Sequence, residues 1–328
     1  MRLTILFFLL CCCHLLGHEP IDIVYTWVDG SDHAWAAKRD FYKNRDKPSC
    51  GEGLSASRFH EKNELKYSLR SIHSFAPFVR HIFIVTDGQH PKWLKKHPKV
   101  TVISHQDIFR WKEYLPVFNS EAIEANLHRI PDLSERYVYF NDDVFLGKPV
   151  TPNDFFTSDG KIKFFESTRT IPNVLTPPYG PIAQRAWNTS QEVKARYGKD
   201  ITMRFLQHTP HVMLKSVVQD AEKEFPHMFK KTSADRFRSP NTYRITCCLV
   251  QYVGLCTGRA KPCSAQERTA FLTAIPEADS RRLQSLLEQR PTFFCLQDER
   301  RRKPSRESDA VFVDFFETYF PTKAPWEK

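Results

Sequence analysis

The sequence predicts an α/β fold, a mostly parallel sheet flanked by helices, with a more helical C-terminal half. Three observations predict it. Short runs rich in β-branched and aromatic residues alternate with amphipathic stretches of helix length, the pattern of successive βαβ units. Three of those runs stop at acids, at Asp29-Gly30, Asp87-Gly88 and Asn141-Asp142-Asp143, which a parallel sheet places on one rim. Beyond residue 211 helical periodicity dominates.

The elements follow in order. IDIVYTWV (21–28) is β-rich and ends at Asp29-Gly30. EKNELKYSLRSIHSF (61–75) puts Leu65, Leu69, Ile72 and Phe75 on one helical face. HIFIVTDG (81–88) is a second strand, PKWLKKH a short helix, and KVTVISH (99–105) a third strand. SEAIEANLHRI (120–130) opens on a serine cap and reads as a helix. RYVYF (136–140) and KIKFF (161–165) are strands. HVMLKSVVQDAEKEF (211–225) is an amphipathic helix stopped by Pro226, and another helix is expected near 241–254. ADSRRLQSLLEQR (278–290) is helical, TFFCLQD (292–298) a strand ending in an acid, and SDAVFVDFFETYFP (308–321) a closing helix. Segments 43–58 and 173–200 read as loops or insertions, and no internal repeat is present.

Residues 1–17 combine one arginine, an apolar run of about 14 residues and a terminal glycine. That run is short for a membrane span, so residues 1–17 are expected to be a signal peptide or an uncleaved signal anchor. Residues 18–328 are expected to be a single domain. With the leader set aside, six cysteines remain, at 50, 247, 248, 256, 263 and 295, and an oxidising compartment would allow up to three disulfides. Asn188-Thr189-Ser190 is the single glycosylation sequon. The net charge of +10 favours anionic partners, but no zinc finger, RRM or similar signature accompanies it, so nucleic acid is not expected. The basic run Arg300-Arg301-Arg302-Lys303 reads as a solvated loop.

Two adjacent carboxylates at the end of a buried strand repel each other and are costly to desolvate. Asp142 and Asp143 form either an Asx-type turn or a divalent cation site, in which the ion would compensate both charges. In QHTPHVMLK (207–215), His208 and His211 lack an obvious third ligand, and His211 could serve as a general base beside a phosphate. RFRSPNTYR (236–244) is either a basic loop or a phosphate-binding one carrying Arg236, Arg238 and Arg244. The absence of G-x-x-x-x-G-K-[ST], G-x-G-x-x-G and G-x-S-x-G argues against P-loop NTPases, dinucleotide-binding enzymes and α/β-hydrolases.

Four stretches together resemble the ordered blocks of the Stealth family. IDIVYTWVDGSD (21–32) is similar to the first; RFHEKNELKYSLRSIHSFAPFVRHIFIVTDGQHPKWL (58–94) and LPVFNSEAIEANLHRIPDLSERYVYFNDDVFLGKPVTPNDFF (115–156) continue into the second. HTPHVMLKSVVQDAEKEFPHMFKKTSADRFRS (208–239) resembles the third, and FFCLQDE through FFETYFPTKAPWEK (293–328) the fourth. The family includes bacterial capsular-polysaccharide phosphotransferases and the catalytic subunit of an animal N-acetylglucosamine-1-phosphotransferase. The resemblance implies a GT-A/Rossmann-like nucleotide-sugar-binding core and transfer of a sugar-1-phosphate from a UDP-sugar to an acceptor hydroxyl, releasing UMP. It also implies Mg2+ or Mn2+ held by Asp142, Asp143 and Asp298, with His211 as base and Arg238 steadying the phosphate. Trp27, Asp29, Gly30, Asp32, Arg70, Asn141 and His208 would bind substrate. The alternative on the same site is a metal-dependent glycosyltransferase releasing UDP. The expected partners are a UDP-sugar and a glycan or glycoprotein acceptor, with at most an N-terminal membrane anchor. Combined with the leader, the resemblance places the protein in the Golgi or ER lumen, or outside the cell.

Overall fold

The computed structural model describes residues 19–48, 54, 58–177, 179–264, 269–274, 280–298 and 306–328. The leader, Cys50 and the basic run at 300–303 lie outside the described residues. Along the first half run β1 (Ile21–Thr26), α1 (His33–Asp46), α2 (Glu64–Phe75), β2 (His81–Thr86), β3 (Val100–Ser104), α3 (His105–Ile108) and α4 (Ser120–Glu124). β4 (Arg136–Asn141), β5 (Val144–Leu146), α5 (Pro152–Phe155), β6 (Ile162–Thr170), α6 (Pro181–Tyr197), β7 (Arg204–Leu206) and β8 (His211–Leu214) follow. The remainder is α7 (Lys215–Glu224), α8 (Pro226–Ser233), α9 (Val250–Cys256), β9 (Ala260–Ser264), β10 (Thr269–Ala274), α10 (Ser280–Gln289), β11 (Phe293–Asp298) and α11 (Arg306–Tyr319).

The central sheet has the order β3-β2-β1-β4-β8, its first four strands parallel and β8 antiparallel to β4. The α/β class with a mostly parallel sheet flanked by helices is therefore the observed architecture. β1 is buried at all six positions, which requires cover on both faces, and its one charged residue, Asp22, accepts from Arg80 Nε at 2.8 Å. Two three-stranded sheets, β10-β11-β5 and β7-β6-β9, extend the rim where β4 ends. A second aromatic core ties α11 and β11 to β5, with Phe145 and Phe294 stacked at 5.0 Å.

The structure corrects several local expectations. Residues 33–46 form α1, capped by Asp32, whose carboxylate accepts from Trp35 N–H at 3.0 Å. Residues 181–197, expected as loop, form α6, because Arg185, Ala186, Thr189 and Val193 share a buried face despite their polarity. PKWLKKH is not helical; it runs antiparallel to the C-terminus, bridging Leu94 to Glu327. Residues 211–214 add to the sheet as β8 before the α7 helix begins, since four consecutive buried apolar-to-aromatic positions satisfy a strand equally well. Among the described residues the expected disulfides do not form: Cys247, Cys248, Cys256, Cys263 and Cys295 are free thiols, and Cys295 of β11 is fully buried. The sequon residue Asn188 lies inside α6, its amide donating to Pro240 O at 3.0 Å and Thr242 O at 3.1 Å. Among the described residues, no helix is long and apolar enough to cross a membrane.

Candidate active site

The carboxyl ends of β1, β2 and β4 open into a cavity of about 650 Å3. Trp27 extends from β1, Asp87 from β2, and Asn141, Asp142 and Asp143 from β4, and all five line it. The wall opposite carries His208 and His211 beside β8, and Arg238 and Arg244 from the following loop. Seven of the residues expected at a site thus meet in one cavity: Trp27, Asn141, Asp142, Asp143, His208, His211 and Arg238.

The acid pair is split by its neighbours. His208 Nε2 lies 3.3 Å from Asp143 Oδ1, and Gln297 Nε2 lies 3.4 Å from the same histidine nitrogen. Burial works to raise the Asp143 carboxyl, but His208 and hydrogen bonds from Gln297 and Cys295 bring it below its ordinary value. Asp142 has no cationic partner among the described residues. Burial, then the charges of Asp143 and Glu64, push its carboxyl well above the usual range. Glu61 adds to this acidity: it accepts from Trp27 Nε1 at 2.5 Å, while its Oε1 is buried without a hydrogen-bond partner. Burial, Glu64 and Asp142 hold Glu61 high as well. Four carboxylates therefore converge on a region in which Lys62 lies 3.4 Å from Glu64 and the His208 ring lies 3.3 Å from Asp143.

This donor set fits a divalent cation. The oxygens of Asp142 and Asp143 are hard ligands, and a ring nitrogen of His208 broadens the choice toward Mn2+. Ligand atoms of Asp143, His208 and Cys295 lie within 4.8 Å of one another. Burial and Asp143 hold the Cys295 thiol well above its ordinary pKa, so it donates to the carboxylate rather than offering a thiolate. Asp298 closes β11 in register with Ala274, and its side chain lies outside the described part.

His211 opens β8 opposite Tyr139, with the two rings stacked at 6.1 Å. Burial, with His208 and Arg244 nearby, lowers its pKa to about 3, so the ring is neutral. Arg238 donates to Ser120 Oγ at 2.6 Å, and its charge acts on the buried Glu124 carboxyl, which lines the same cavity. Arg244 donates to Cys247 Sγ at 2.8 Å and lies 3.9 Å from Glu121. Arg236 is structural, donating to Pro116 O at 2.6 Å and pairing with Asp46 at 2.7 Å.

Four expected substrate-binding residues lie elsewhere. Arg70 is 1% exposed and sits on the α2 face that holds the C-terminus, with Glu327 at 2.8 Å and Glu317 at 2.8 Å. Asp29 accepts from Ser31 N–H at 2.9 Å and closes the turn after β1. Gly30 is required by close approach: a Cβ there would lie 2.2 Å from Phe59 O. Asp32 is the α1 cap described above. Glu61 and Glu64 were not anticipated. Their signal was the pair of acids at the start of α2, beside an expected strand end.

Family models match 19–47, 58–164, 207–254 and 284–328, described as Stealth protein conserved regions 1, 2, 3 and 4. All four regions occur in order and span more than two thirds of the sequence. The chain belongs to the Stealth family. An exopolysaccharide phosphotransferase of Streptomyces coelicolor is 39% identical over 313 residues, covering 94% of this chain and 57% of that protein. Exopolysaccharide phosphotransferase CpsY of Mycobacterium tuberculosis is 39% identical over 312 residues, covering 94% of this chain and 58% of its own. The Stealth chain thus spans little more than half the length of the curated relatives it matches. These relatives overturn the expected Golgi or ER location, because Streptomyces and Mycobacterium have neither compartment. A crystal structure of the galactosyltransferase LgtC aligns over 93% of this chain and 97% of its own at 12% identity and a TM-score of 0.43, and no residue role is taken from it.

Proposed function

We propose that the protein transfers a sugar-1-phosphate from a UDP-sugar to a hydroxyl of a glycan acceptor, forming a phosphodiester and releasing UMP. One observation carries this reading: an acid pair suited to a cation, a neutral histidine and the Arg238 guanidinium share one cavity. The names of the relatives, exopolysaccharide phosphotransferases, support the same class of reaction. The cavity, about 650 Å3, lies within the range typical of small-molecule and cofactor sites.

The acceptor oxygen attacks the β-phosphorus, and the bond from that phosphorus to the bridging oxygen breaks. UMP leaves with the bridging oxygen, and the sugar keeps its anomeric bond. His211 accepts the hydroxyl proton. Its basicity is held down partly by His208 and Arg244, and an anionic diphosphate would offset both, strengthening the base once donor is bound. Arg238 donates to the phosphate oxygens, and Trp27 offers an aromatic wall. Asp142, Asp143 and His208 would hold Mg2+ or Mn2+, which supplies charge neutralisation at the diphosphate when bound.

Product analysis tests the reading. Incubation with labelled UDP-sugars and an oligosaccharide acceptor should yield UMP in proportion to product. UDP in that proportion would instead assign attack at the anomeric carbon and a glycosyltransferase.

A further inference from the structure

The cavity extends beyond the residues that handle the diphosphate. At that end β6 and β7 of the small sheet and the start of α6 line it. Strand alternation sorts β6 into two faces. Ser167 and Arg169 face the cavity, whereas Glu166 points away and accepts from Tyr252 OH at 2.5 Å. The Arg169 guanidinium lies over the Phe205 ring, 5.0 Å from its centroid, and Phe205 lines the same end. Among the described residues, no carboxylate pairs with Arg169. The neighbouring 171–180 segment leaves Val174 76% and Tyr179 46% exposed, two of three large apolar side chains so exposed on the described surface.

We propose that this outer end is the acceptor subsite, and that Arg169 selects an acceptor glycan carrying a negative charge on a unit next to the reacting hydroxyl. This assignment rests on the proposed sugar-phosphate transfer for its direction, with the donor at the β4 end and the acceptor at the β6 end. A guanidinium already held against an aromatic ring loses little freedom when it meets an anion. A phosphodiester and a uronate carboxylate share the recognising chemistry. A chain already built by the proposed reaction would carry the first of these, so the same site would favour elongation over initiation. Arg169 is a positioning residue in this account.

Calorimetric titration of three trisaccharides into the full chain, without donor, separates the cases: one phosphodiester-linked, one containing uronate, one neutral. One or both anionic trisaccharides should bind about tenfold tighter than the neutral one, and the tighter of the two names the source of charge. Arg169→Ala should abolish that preference, Arg169→Lys should restore part of it, and 0.5 M salt, which shortens the Debye length to about 4 Å, should weaken it. In turnover, Arg169→Ala should raise acceptor KM with kcat at saturating acceptor little changed. Equal binding of neutral and anionic trisaccharides, or an anionic preference that survives Arg169→Ala, overturns the subsite. Absence of UMP from the wild type would instead defeat the proposed reaction, and the binding titration would still decide the subsite.

Discussion

His208 Nε2 sits 3.3 Å from Asp143 Oδ1, while Asp142, the next residue, has no cation beside it among the described residues. Two adjacent carboxylates are thereby made electrically unequal. Asp142→Asn should stabilise the cation-free protein, by about 1–3 kcal/mol, because it removes an uncompensated buried charge. Asp143→Asn should cost a similar amount by stripping His208 of its partner. Urea denaturation with and without Mn2+ checks both, and stabilisation by Mn2+ should vanish in either variant.

The same inequality sets a pH dependence. The Asp142 carboxyl is raised in the fold, so its contribution to stability is full below 3.8 and is lost as pH rises toward and through the folded value. Stability of the cation-free protein should therefore decline above that pH, and less steeply in Asp142→Asn. Glu61, also raised, adds to the decline in both proteins. Identical slopes for wild type and variant would remove Asp142 as the cause.

His211→Ala should reduce UMP release by at least about a hundredfold, with donor affinity kept, as expected for loss of a general base. The neutral ring is the competent form. With its pKa lowered from 6.5 to about 3 in the free protein, the acid limb of kcat/KM assigned to it should lie well below 6.5. An acid limb centred at 6.5 or above that disappears in His211→Ala would contradict the geometry.

Arg70→Met should destabilise the protein by about 3–5 kcal/mol, since it leaves Glu327 buried without a cation. The variant that remains folded at low temperature should keep the wild-type KM for donor. A raised donor KM without loss of stability would return Arg70 to the pocket.

Gly30→Ala should cost about 1–3 kcal/mol, because its new methyl would meet Phe59 O at 2.2 Å and force the turn apart. Thermal unfolding reads the cost directly.

The sheet was legible because β1, β2 and β4 each carry a buried apolar run that stops at a polar rim residue. The acid pair was legible for the same reason, since its placement follows from the direction of β4, whereas that of the histidine–arginine wall was indicated only by the family resemblance. Arg70, Asp29, Gly30 and Asp32 are not among the residues that line the cavity, because sequence proximity to a rim does not say which way a side chain turns. Arg70 leaves α2 on the face opposite the cavity, and its partners Glu317 and Glu327 are supplied by the far end of the chain. α6 was hidden by its composition, as its buried face is built from Arg185, Thr189 and Ser190 as much as from Ala186 and Val193. Arg185 is tolerated there because Glu121 meets it at 3.0 Å, a long-range pairing that periodicity cannot reveal.

Glu64 and Arg70 ride on one helix, and Glu327, which grips Arg70, lies 257 residues further along the chain. The helix that brings Glu64 to the cavity is thus steadied by a segment synthesised 257 residues after Arg70. A nascent chain that has emerged only as far as α2 carries the acid without its anchor.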